Sequence, residues 1–408
     1  MKVNCRLCDS KKMTQFLDLG HQPPSDQFVR AERLDNNITY YPLRVVSCDQ
    51  CKFVQLDHVV DPEILYQDDY PYVSSTTNAG RSHFDSFAGS VVEKYKLSKD
   101  DMVIDIGSNV GVLLDGFKRR GTKVLGIDPA PNIAAIAESN GIPTKVAFFG
   151  HGVADMVKET HGHAKVITGS NVFAHINDLN KVMEEVDTLL DEKGVFIIEV
   201  PYLRHLFDFM EYDTIYHEHL SYISLMPLVP FFKKKGFEIS HLDEVKIHGG
   251  SLRIHISRIG DYTPTPIVEE MITSEERDGI HEQENLENFA RKVKKNRDDL
   301  IKLIHNLKAD GKRIAGVSAP AKGMTLLNYC GVSKDDLEFV TEKCELKIGR
   351  FTPGSNIPVM RDEDLISHEI DYALLLAWNF KDEIIKNLPE FRERGGKFII
   401  PIPEPHIV

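Results

Sequence analysis

The sequence predicts a mixed α/β protein in three parts, with a small four-cysteine module ahead of two domains in which strands and helices alternate. Four cysteines occur as two CxxC pairs near the N-terminus. An apolar strand that breaks into a small-residue loop and resumes as a helix occurs twice, at MVIDIGSNVG (102–111) and RIAGVSAPAKG (313–323). We therefore place the parts at residues 1–78, 79–260 and 261–408, which suits a chain too long for one typical core.

The composition and charge of the chain indicate which kinds of partner it can bind. With 42% hydrophobic and 27% charged residues, the chain has the composition of a soluble globular protein. Its net charge of −13 argues against a nucleic-acid partner, because a phosphate backbone would be repelled. No apolar run reaches the roughly 18 residues of a membrane span, and MKVNCRLC does not resemble a secretion signal. We expect a cytoplasmic monomer or weak homo-oligomer that binds a small molecule, without nucleic-acid or membrane partners.

The cysteine pairs are Cys5 with Cys8 in CRLC, and Cys48 with Cys51 in CDQC. In a reducing compartment this spacing favours a metal over disulfides, and four thiolates form the tetrahedral site that zinc prefers. A closed shell of four ligands leaves no open position, so the zinc is expected to be structural. The alternative is a redox pair or two unrelated pairs.

A segment rich in tyrosine and hydroxyl groups follows this module, ILYQDDYPYVSSTT at residues 64–77. The composition is typical of a linker. It also suits a lid in which Tyr66, Tyr70, Tyr72, Ser74 and Ser75 hydrogen-bond to a polar ligand. A helical pattern then runs from Ala79 to about Tyr95.

The loop after the strand at 102–106 is the first candidate binding site. Gly107 and Gly111 flank the polar pair Ser108 and Asn109, which leaves backbone N–H groups open to a ligand. The next strand ends at Asp128, at the point where an acidic residue commonly meets the hydroxyls of a ribose. Because the loop lacks a complete GxGxxG, it favours a cofactor without a pyrophosphate. An ordinary strand-to-helix turn is the alternative.

Five apolar strands separated by helical patterns predict a parallel, doubly wound sheet, and two further strands, FEISHLDEV and SLRIHISRI, predict a terminal hairpin joined through KIHGG. Ligands bind at the carboxyl ends of such strands. We therefore expect the residues after the fourth and fifth strands to face the same crevice as the loop. They are Asn171, His175, Glu199 and Tyr202.

The segment YHEHLSY lies between the fifth and sixth strands and contains Tyr216, His217, Glu218 and His219. Its cluster of titratable groups permits a metal site or an ordinary surface loop. The position beyond the strand ends favours acid–base chemistry, because imidazole removes protons near neutral pH and a carboxylate can fix its tautomer.

The part after residue 260 begins as a polar connector, with a long helical pattern from about Glu282 to Leu307. The strand RIAGVSA and the loop PAKG then open a smaller α/β layer, with further strands at LEFVTE, YALLLAW and GKFIIPIP. A helix N-terminus beside Lys322 is a ready anion site. A lysine on a solvated turn is the alternative.

The segment DIGSNVGxLL followed by GID resembles the S-adenosylmethionine site of class I methyltransferases, whose seven-stranded order also ends in a hairpin. The resemblance implies a cofactor set made of the loop, both acidic residues, two phenylalanines beside the adenine and the asparagine after the fourth strand. These residues are Asp105, Gly107, Ser108, Asn109, Gly111, Asp128, Phe148, Phe149 and Asn171.

The whole chain resembles the sugar C-methyltransferases that act on nucleotide-linked deoxyketohexoses. The motifs that carry the resemblance are the four cysteines, DIGSN, NVFAHI, VPYL, YHEHLSY, HGGSLR and APAKGMTLLNYCG. The resemblance implies that His219 is the general base, with Tyr216, Glu218 and His175 around the sugar. It implies substrate contacts from Tyr70, Tyr72, Ser74, Tyr202 and Lys322. The family usually has DIGSNDG where this chain has Val110.

The expected reaction is deprotonation of C3 of a 4-keto sugar by His219, followed by attack of the enolate on the sulfonium methyl group. Tyr216 or His175 would donate to the enolate oxygen, and Glu218 would orient an imidazole. Zinc takes no part. The alternatives are an O- or N-methyltransferase acting on another small molecule, and a non-catalytic nucleotide-sugar binding protein.

Overall fold

The computed structural model describes residues 4–66, 70, 72–74, 78–245 and 250–408. The expected joint KIHGG falls largely on residues 246–249, which lie outside this part, as do residues 67–69, 71 and 75–77 of the expected lid. The strands, in chain order, are β1 (Met13–Gln22), β2 (Tyr41–Cys48), β3 (Val54–Leu56), β4 (Met102–Ile106), β5 (Lys123–Asp128), β6 (Thr144–Val146), β7 (Ala164–Ser170), β8 (Leu190–Pro201), β9 (Ser221–Tyr222), β10 (Phe237–Val245), β11 (Ser251–Arg258), β12 (Ile314–Val317), β13 (Val340–Thr341), β14 (Val359–Met360), β15 (Tyr372–Leu375), β16 (Lys397–Ile400) and β17 (His406–Ile407).

The helices follow the same order along the chain. They are α1 (Pro62–Tyr66), α2 (Asn78–Tyr95), α3 (Val112–Arg119), α4 (Pro131–Ser139), α5 (Val153–His161), α6 (Leu179–Leu189), α7 (Leu203–Asp208), α8 (Leu225–Lys234), α9 (Pro266–Asp278), α10 (Gln283–Ala309), α11 (Ala321–Cys330), α12 (Asp364–Ser367), α13 (Lys381–Asn387) and α14 (Pro389–Glu393), with short 3₁₀ turns at Ala31–Arg33, Phe173–His175, Tyr212–Thr214 and Trp378–Phe380. Within the described ranges, no helix has an apolar stretch of the length needed to cross a bilayer.

The central sheet has seven strands in the order β10-β11-β8-β7-β4-β5-β6. The pairs β8–β7, β7–β4, β4–β5 and β5–β6 are parallel, while β10–β11 and β11–β8 are antiparallel. This confirms the expected five parallel strands and terminal hairpin. Strand β4 is buried along its whole length, as expected for a strand that helices cover on both faces.

The N-terminal sheet has the order β1-β2-β3-β9 and is antiparallel. Its fourth strand, β9, comes from the segment YHEHLSY of the central domain. Val54 of β3 pairs with Tyr222, and Gln55 pairs with Ser221. The segment that carries His219 is therefore hydrogen-bonded to the N-terminal module rather than to the central sheet.

The C-terminal sheet has the order β14-β13-β12-β15-β16-β17, parallel except for β17. The four strands expected here are present, and β14 and β17 are additional strands of two residues each. One apolar core joins this domain to the N-terminal sheet, since Leu17 and Leu43 belong to the same buried cluster as Leu326. The expected connector contains two helices, α9 and α10, and Val268 of α9 packs in the core of the central sheet.

Candidate active site

The loop after β4 is built around left-handed backbone. Gly107 and Asn109 have φ of 63° and 49°, and a Cβ on Gly107 would lie 2.2 Å from Val172 Cγ2. Gly111, with φ of 79°, starts α3, and a Cβ there would lie 2.9 Å from Ile142. Gly111 is therefore needed for the turn, where it packs against Ile142, and its contact with a cofactor stays a prediction.

Two buried carboxyl groups support the loop. Asp128 accepts hydrogen bonds from the backbone N–H of Asn109 (2.8 Å) and of Ala130 (2.9 Å). Thr168 donates to Asp105 at 2.6 Å. Burial raises the pKa of Asp128, and it raises the pKa of Asp105 to about 7. The carboxyl of Asp128 thus holds the loop against the end of β5.

A cavity of about 960 Å³ opens beside this loop and is lined by all three parts of the chain. Most of the predicted site residues lie on its wall: Tyr70, Tyr72, Ser74, Asp105, Gly107, Ser108, Asn109, Asp128, Phe148, Phe149, Asn171, His175, Tyr216, Glu218, His219 and Lys322. Gly111 and Tyr202 are not among the described residues that line it. The predicted loop and the predicted acid–base cluster therefore face one space.

Tyr202 directly follows β8, is 2% exposed and is not among the described residues that line the cavity, so the structure does not group it with the other predicted substrate contacts. Its hydroxyl donates to Glu275 of α9 at 2.9 Å. Glu275 also accepts from the backbone N–H of Leu225 and Met226, so it caps the start of α8. This network gives Tyr202 a structural function.

Glu199 was expected to face the cavity, but it is 1% exposed and is not among the described residues that line it. Its carboxylate receives Arg253 Nη2 at 2.7 Å and lies 2.6 Å from His83 Nε2. Of these three side chains, only His83 lines the cavity.

The imidazole of His219 is held by backbone and by neighbouring rings. Its Nδ1 lies 2.7 Å from the carbonyl oxygen of Thr214, so Nδ1 carries the proton that makes this bond. The ring centroid lies 4.0 Å from that of Tyr216 and 4.9 Å from that of His175. In the neutral ring, Nε2 is then the basic atom.

His175 is a neutral imidazole with one unsatisfied nitrogen. Burial, followed by the charge of His219, lowers its pKa well below the usual value. Nδ1 lies 3.4 Å from the hydroxyl of Tyr66. Nε2 is buried and has no hydrogen-bond partner among the described residues. If Tyr66 donates to Nδ1, then Nε2 is an N–H donor that requires an acceptor.

Glu218 carries a carboxyl group that burial keeps protonated near neutral pH. Burial, then the charge of Asp26, raises its pKa to about 8. Tyr70 donates to one carboxyl oxygen at 3.1 Å. In the described structure the carbonyl of Thr214, not Glu218, orients His219, which differs from the expected arrangement.

Two lysines of the C-terminal part line the cavity, of which Lys347 is buried and Lys322 is partly buried. Lys322 lies 3.8 Å from Asp213 and over the ring of Trp378, while Lys347 lies 3.1 Å from Asp26 and 2.9 Å from the carbonyl oxygen of Ala319. Burial lowers the pKa of Lys322, and Asp213 opposes that shift. The expected solvent-exposed alternative for Lys322 is therefore wrong.

Several lining residues were outside the predicted set. Asp26 and Lys347 are 321 positions apart, so no local pattern connects them. Thr214 acts through its backbone carbonyl, which residue type does not reveal. Tyr66, by contrast, lies on the cavity wall and was part of the predicted tyrosine-rich lid.

The four N-terminal cysteines converge as expected. Their Sγ atoms all lie within 4.8 Å of one another, with Cys5 and Cys51 at 3.4 Å and Cys8 and Cys48 at 3.6 Å. All four are free thiols rather than disulfides. No other group of three or more metal-ligating side chains lies this close together among the described residues. Four sulfur donors at this spacing fit a tetrahedral zinc ion.

Family models match most of the chain. A zinc binding domain matches residues 5–66, a methyltransferase domain matches 83–242, and a C-methyltransferase C-terminal domain matches 246–403.

Relatives include the C-methyltransferase NovU of Streptomyces niveus, which is 36% identical over 405 residues, 99% of this chain and 96% of NovU. The ubiquinone biosynthesis O-methyltransferase of Azorhizobium caulinodans is 24% identical over 97 residues, 24% of this chain and 38% of that protein. Among solved structures, magnesium protoporphyrin IX methyltransferase of Synechocystis PCC 6803 with bound SAM is 14% identical. The superposition covers 43% of this chain and 77% of the Synechocystis chain, with a TM-score of 0.34.

Proposed function

Because the chain belongs to the C-methyltransferase family, we propose that it methylates C3 of a nucleotide-linked 4-keto-deoxyhexose, as a step of deoxysugar biosynthesis. The protein is an S-adenosylmethionine-dependent C-methyltransferase with a zinc-binding N-terminal module, which confirms the expected enzyme class, cofactor and zinc module. The sugar, the reacting carbon and the roles of individual residues are the proposal. So are the domain boundaries after residues 78 and 260.

One observation carries the proposal: the loop at 107–109 and the cluster of His219, His175, Tyr216 and Glu218 line the same cavity. An O- or N-methyltransferase needs at most a base that removes a proton from the oxygen or nitrogen atom to be methylated. A carbon acid needs a base and also donors for the enolate oxygen, because the proton leaves a carbon next to a ketone. The cluster contains both kinds of group.

The donor would lie against the loop, where several polar atoms lack partners. Ser108 Oγ, Ser170 Oγ and Asn171 Oδ1 are buried without hydrogen bonds among the described residues. These atoms fit the amino-acid end of S-adenosylmethionine, and Asp128 lies at the strand end that suits its ribose. When bound, the sulfonium supplies an electrophilic methyl group.

His219 is the proposed base. Its Nδ1 proton is hydrogen-bonded to the carbonyl oxygen of Thr214. Nε2 can therefore take the proton from C3 without a change of tautomer. The proposed donors to the enolate oxygen are His175, through its unsatisfied Nε2, Tyr216 and the protonated Glu218. Asp105, with a pKa near 7, stays bonded to Thr168 beneath the loop and takes no proton from the substrate.

The nucleotide end would lie toward the C-terminal part. Lys322, at the start of α11, is the proposed partner of the diphosphate, with Tyr70, Tyr72 and Ser74 covering the sugar nucleotide. Asp213 offsets part of the charge of Lys322, so we expect the diphosphate to compete with that carboxylate.

The test is a screen of thymidine- and uridine-diphosphate-linked 4-keto-6-deoxyhexoses for a methyl mass shift in the presence of S-adenosylmethionine. A second arm incubates each sugar in D₂O without the donor and follows deuterium uptake at C3. Methylation with uptake at C3 supports the proposal. Methylation of oxygen or nitrogen without uptake would replace it with the rival chemistry.

A further inference from the structure

Arg6 lies inside the first zinc knuckle, between Cys5 and Leu7, and its side chain is only 5% exposed. The guanidinium is directed into the protein. Nη1 donates to the carbonyl oxygens of Leu56 (3.0 Å) and Leu220 (3.1 Å), and Nε donates to Asn177 Oδ1 (3.2 Å). One planar group therefore joins three separate segments of the chain.

Two of those segments carry the imidazoles of the site. Leu220 directly follows His219, and Asn177 is two residues after His175. Both imidazoles line the cavity, 4.9 Å apart between centroids. A small shift of either segment would change the distance between the two rings and the direction in which Nε2 of His219 points.

The third segment is strand β3, which follows the second knuckle. The backbone N–H of Leu56 donates to the same Leu220 carbonyl at 2.9 Å, and Gln55 accepts from the backbone N–H of Arg6 at 2.9 Å. The carbonyl of Leu220 thus receives two donors, one from a side chain and one from backbone. Both come from the module that the four thiolates close.

We propose that Arg6 is a positioning residue for His219 and His175, through which the zinc module sets the geometry of proton abstraction. The inference rests on the proposed role of His219. Metal binding fixes the backbone on both sides of Arg6, because Cys5 and Cys8 are ligands. The hydrogen bonds of the guanidinium then fix the two segments that carry the imidazoles relative to the zinc module.

The test compares Arg6→Gln, Arg6→Lys and the control Arg44→Gln in the full chain loaded with zinc. Arg44 lies in the same sheet and pairs with Asp57 at 2.9 Å, 37% exposed, without a hydrogen bond to either imidazole segment among those described. Four quantities are measured: zinc content, affinity for S-adenosylmethionine by calorimetry, ¹⁵N shifts of the His219 ring, and kcat and KM on a thymidine-diphosphate-linked 4-keto-6-deoxyhexose.

For Arg6→Gln we expect full zinc content, affinity for S-adenosylmethionine within about twofold, and kcat lower by about 10²-fold. The ¹⁵N shifts of His219 should move toward a mixture of tautomers. Arg6→Lys should regain part of the rate, since an ammonium reaches one carbonyl but not three acceptors. Arg44→Gln should behave as the unmodified protein.

Unchanged kcat and unchanged ¹⁵N shifts in zinc-loaded Arg6→Gln would overturn the inference. So would a loss of rate that parallels a loss of zinc or of donor affinity, or that Arg44→Gln reproduces. If Arg6→Gln does not fold, Arg6→Lys decides by the same criteria. The ¹⁵N shifts need no substrate, so a failure of the proposed methylation is distinguishable from a failure of this inference.

Discussion

The Nδ1 atom of His219 donates a hydrogen bond of 2.7 Å to the backbone carbonyl oxygen of Thr214. The bond fixes the ring by an acceptor that cannot titrate. Many paired imidazoles rely on a carboxylate for this purpose, and a carboxylate changes charge with pH. Here the acceptor has the same charge at every pH, and the titrating carboxyl of the cluster, Glu218, is left for another role.

Replacement of His219 by Gln should remove the base and leave the donor site unchanged. We expect kcat to fall by about 10³-fold, the usual scale for loss of a general base. Affinity for S-adenosylmethionine, measured by calorimetry, should stay within about twofold. Deuterium uptake at C3 should fall with kcat. A variant that still exchanged this hydrogen at the original rate would exclude His219 as the base.

The protonation of Glu218 should set the alkaline limb of the pH profile. Its pKa lies near 8 in the fold, against 4.5 for an ordinary glutamate, so the carboxyl is mostly neutral at pH 7. Above about pH 8 it ionises beside the site of the enolate, and the rate should decline. Glu218→Gln should remove this limb while the acidic limb remains. An alkaline limb that persisted in the variant would assign it to another group.

The same residue should affect stability in a definite direction. Because the folded pKa is raised, Glu218 favours the fold fully below pH 4.5, and this contribution is lost as pH rises through about 8. Urea titrations should show a slope in the free energy of unfolding over this range that is shallower in Glu218→Gln. Equal slopes in the two proteins would contradict the assignment.

Removal of zinc should unfold the N-terminal module before the rest of the chain. Cys48→Ser breaks the four-thiolate shell, and we expect a loss of about 4 kcal/mol or more in stability. Calorimetry would show a new low-temperature transition, and a metal assay would confirm the loss. Cys330→Ser, which alters a buried thiol of the C-terminal part, is the matched control. A stable, zinc-free Cys48→Ser protein would rule out a structural role for the metal.

Tyr202→Phe should separate a structural tyrosine from a substrate contact. The change deletes the hydroxyl that donates to Glu275 at 2.9 Å, at a cost of about 1.5 to 3 kcal/mol in stability. We expect unchanged kcat and KM at a temperature where the protein is folded. A raised KM with unchanged stability would instead support the predicted contact of Tyr202 with the substrate.

Lys322→Met should weaken binding of the nucleotide diphosphate. Loss of one charge-assisted contact predicts a KM about tenfold higher, with donor affinity unchanged. Lys343→Met is the control, because Lys343 pairs with Asp362 and does not line the cavity. Equal KM in Lys322→Met and the unmodified protein would exclude the proposed diphosphate contact.

The order of the central sheet and the convergence of the cysteines could be predicted, because strand–loop–helix alternation and CxxC spacing are local signals. The two-residue strands β9, β14 and β17 could not, because so short a segment has no measurable period and, unlike β13, none of them lies within a longer predicted strand. The burial of Tyr202 against Glu275 could not be predicted either, for a related reason. Position after a strand is local, whereas the direction of its side chain depends on Glu275, 73 residues away.

The environment of Val110 likewise could not be predicted from the sequence. As a departure from DIGSNDG it suggests a weakened cofactor loop. In the structure it is 7% exposed and packs with Ala130 and Ile133, with Tyr70 and Val73 against them. The side chain therefore belongs to a small apolar cluster beneath the tyrosine-rich segment.

Strand β9 has a consequence for recombination between related genes. A crossover that imported only the first 66 residues from a relative would bring in three strands and leave the fourth behind in the recipient. The new sheet edge would then meet a foreign partner at Ser221 and Tyr222. Chimaeras should tolerate the exchange best when the donor supplies both stretches together, so these two distant pieces of sequence should be inherited as one unit.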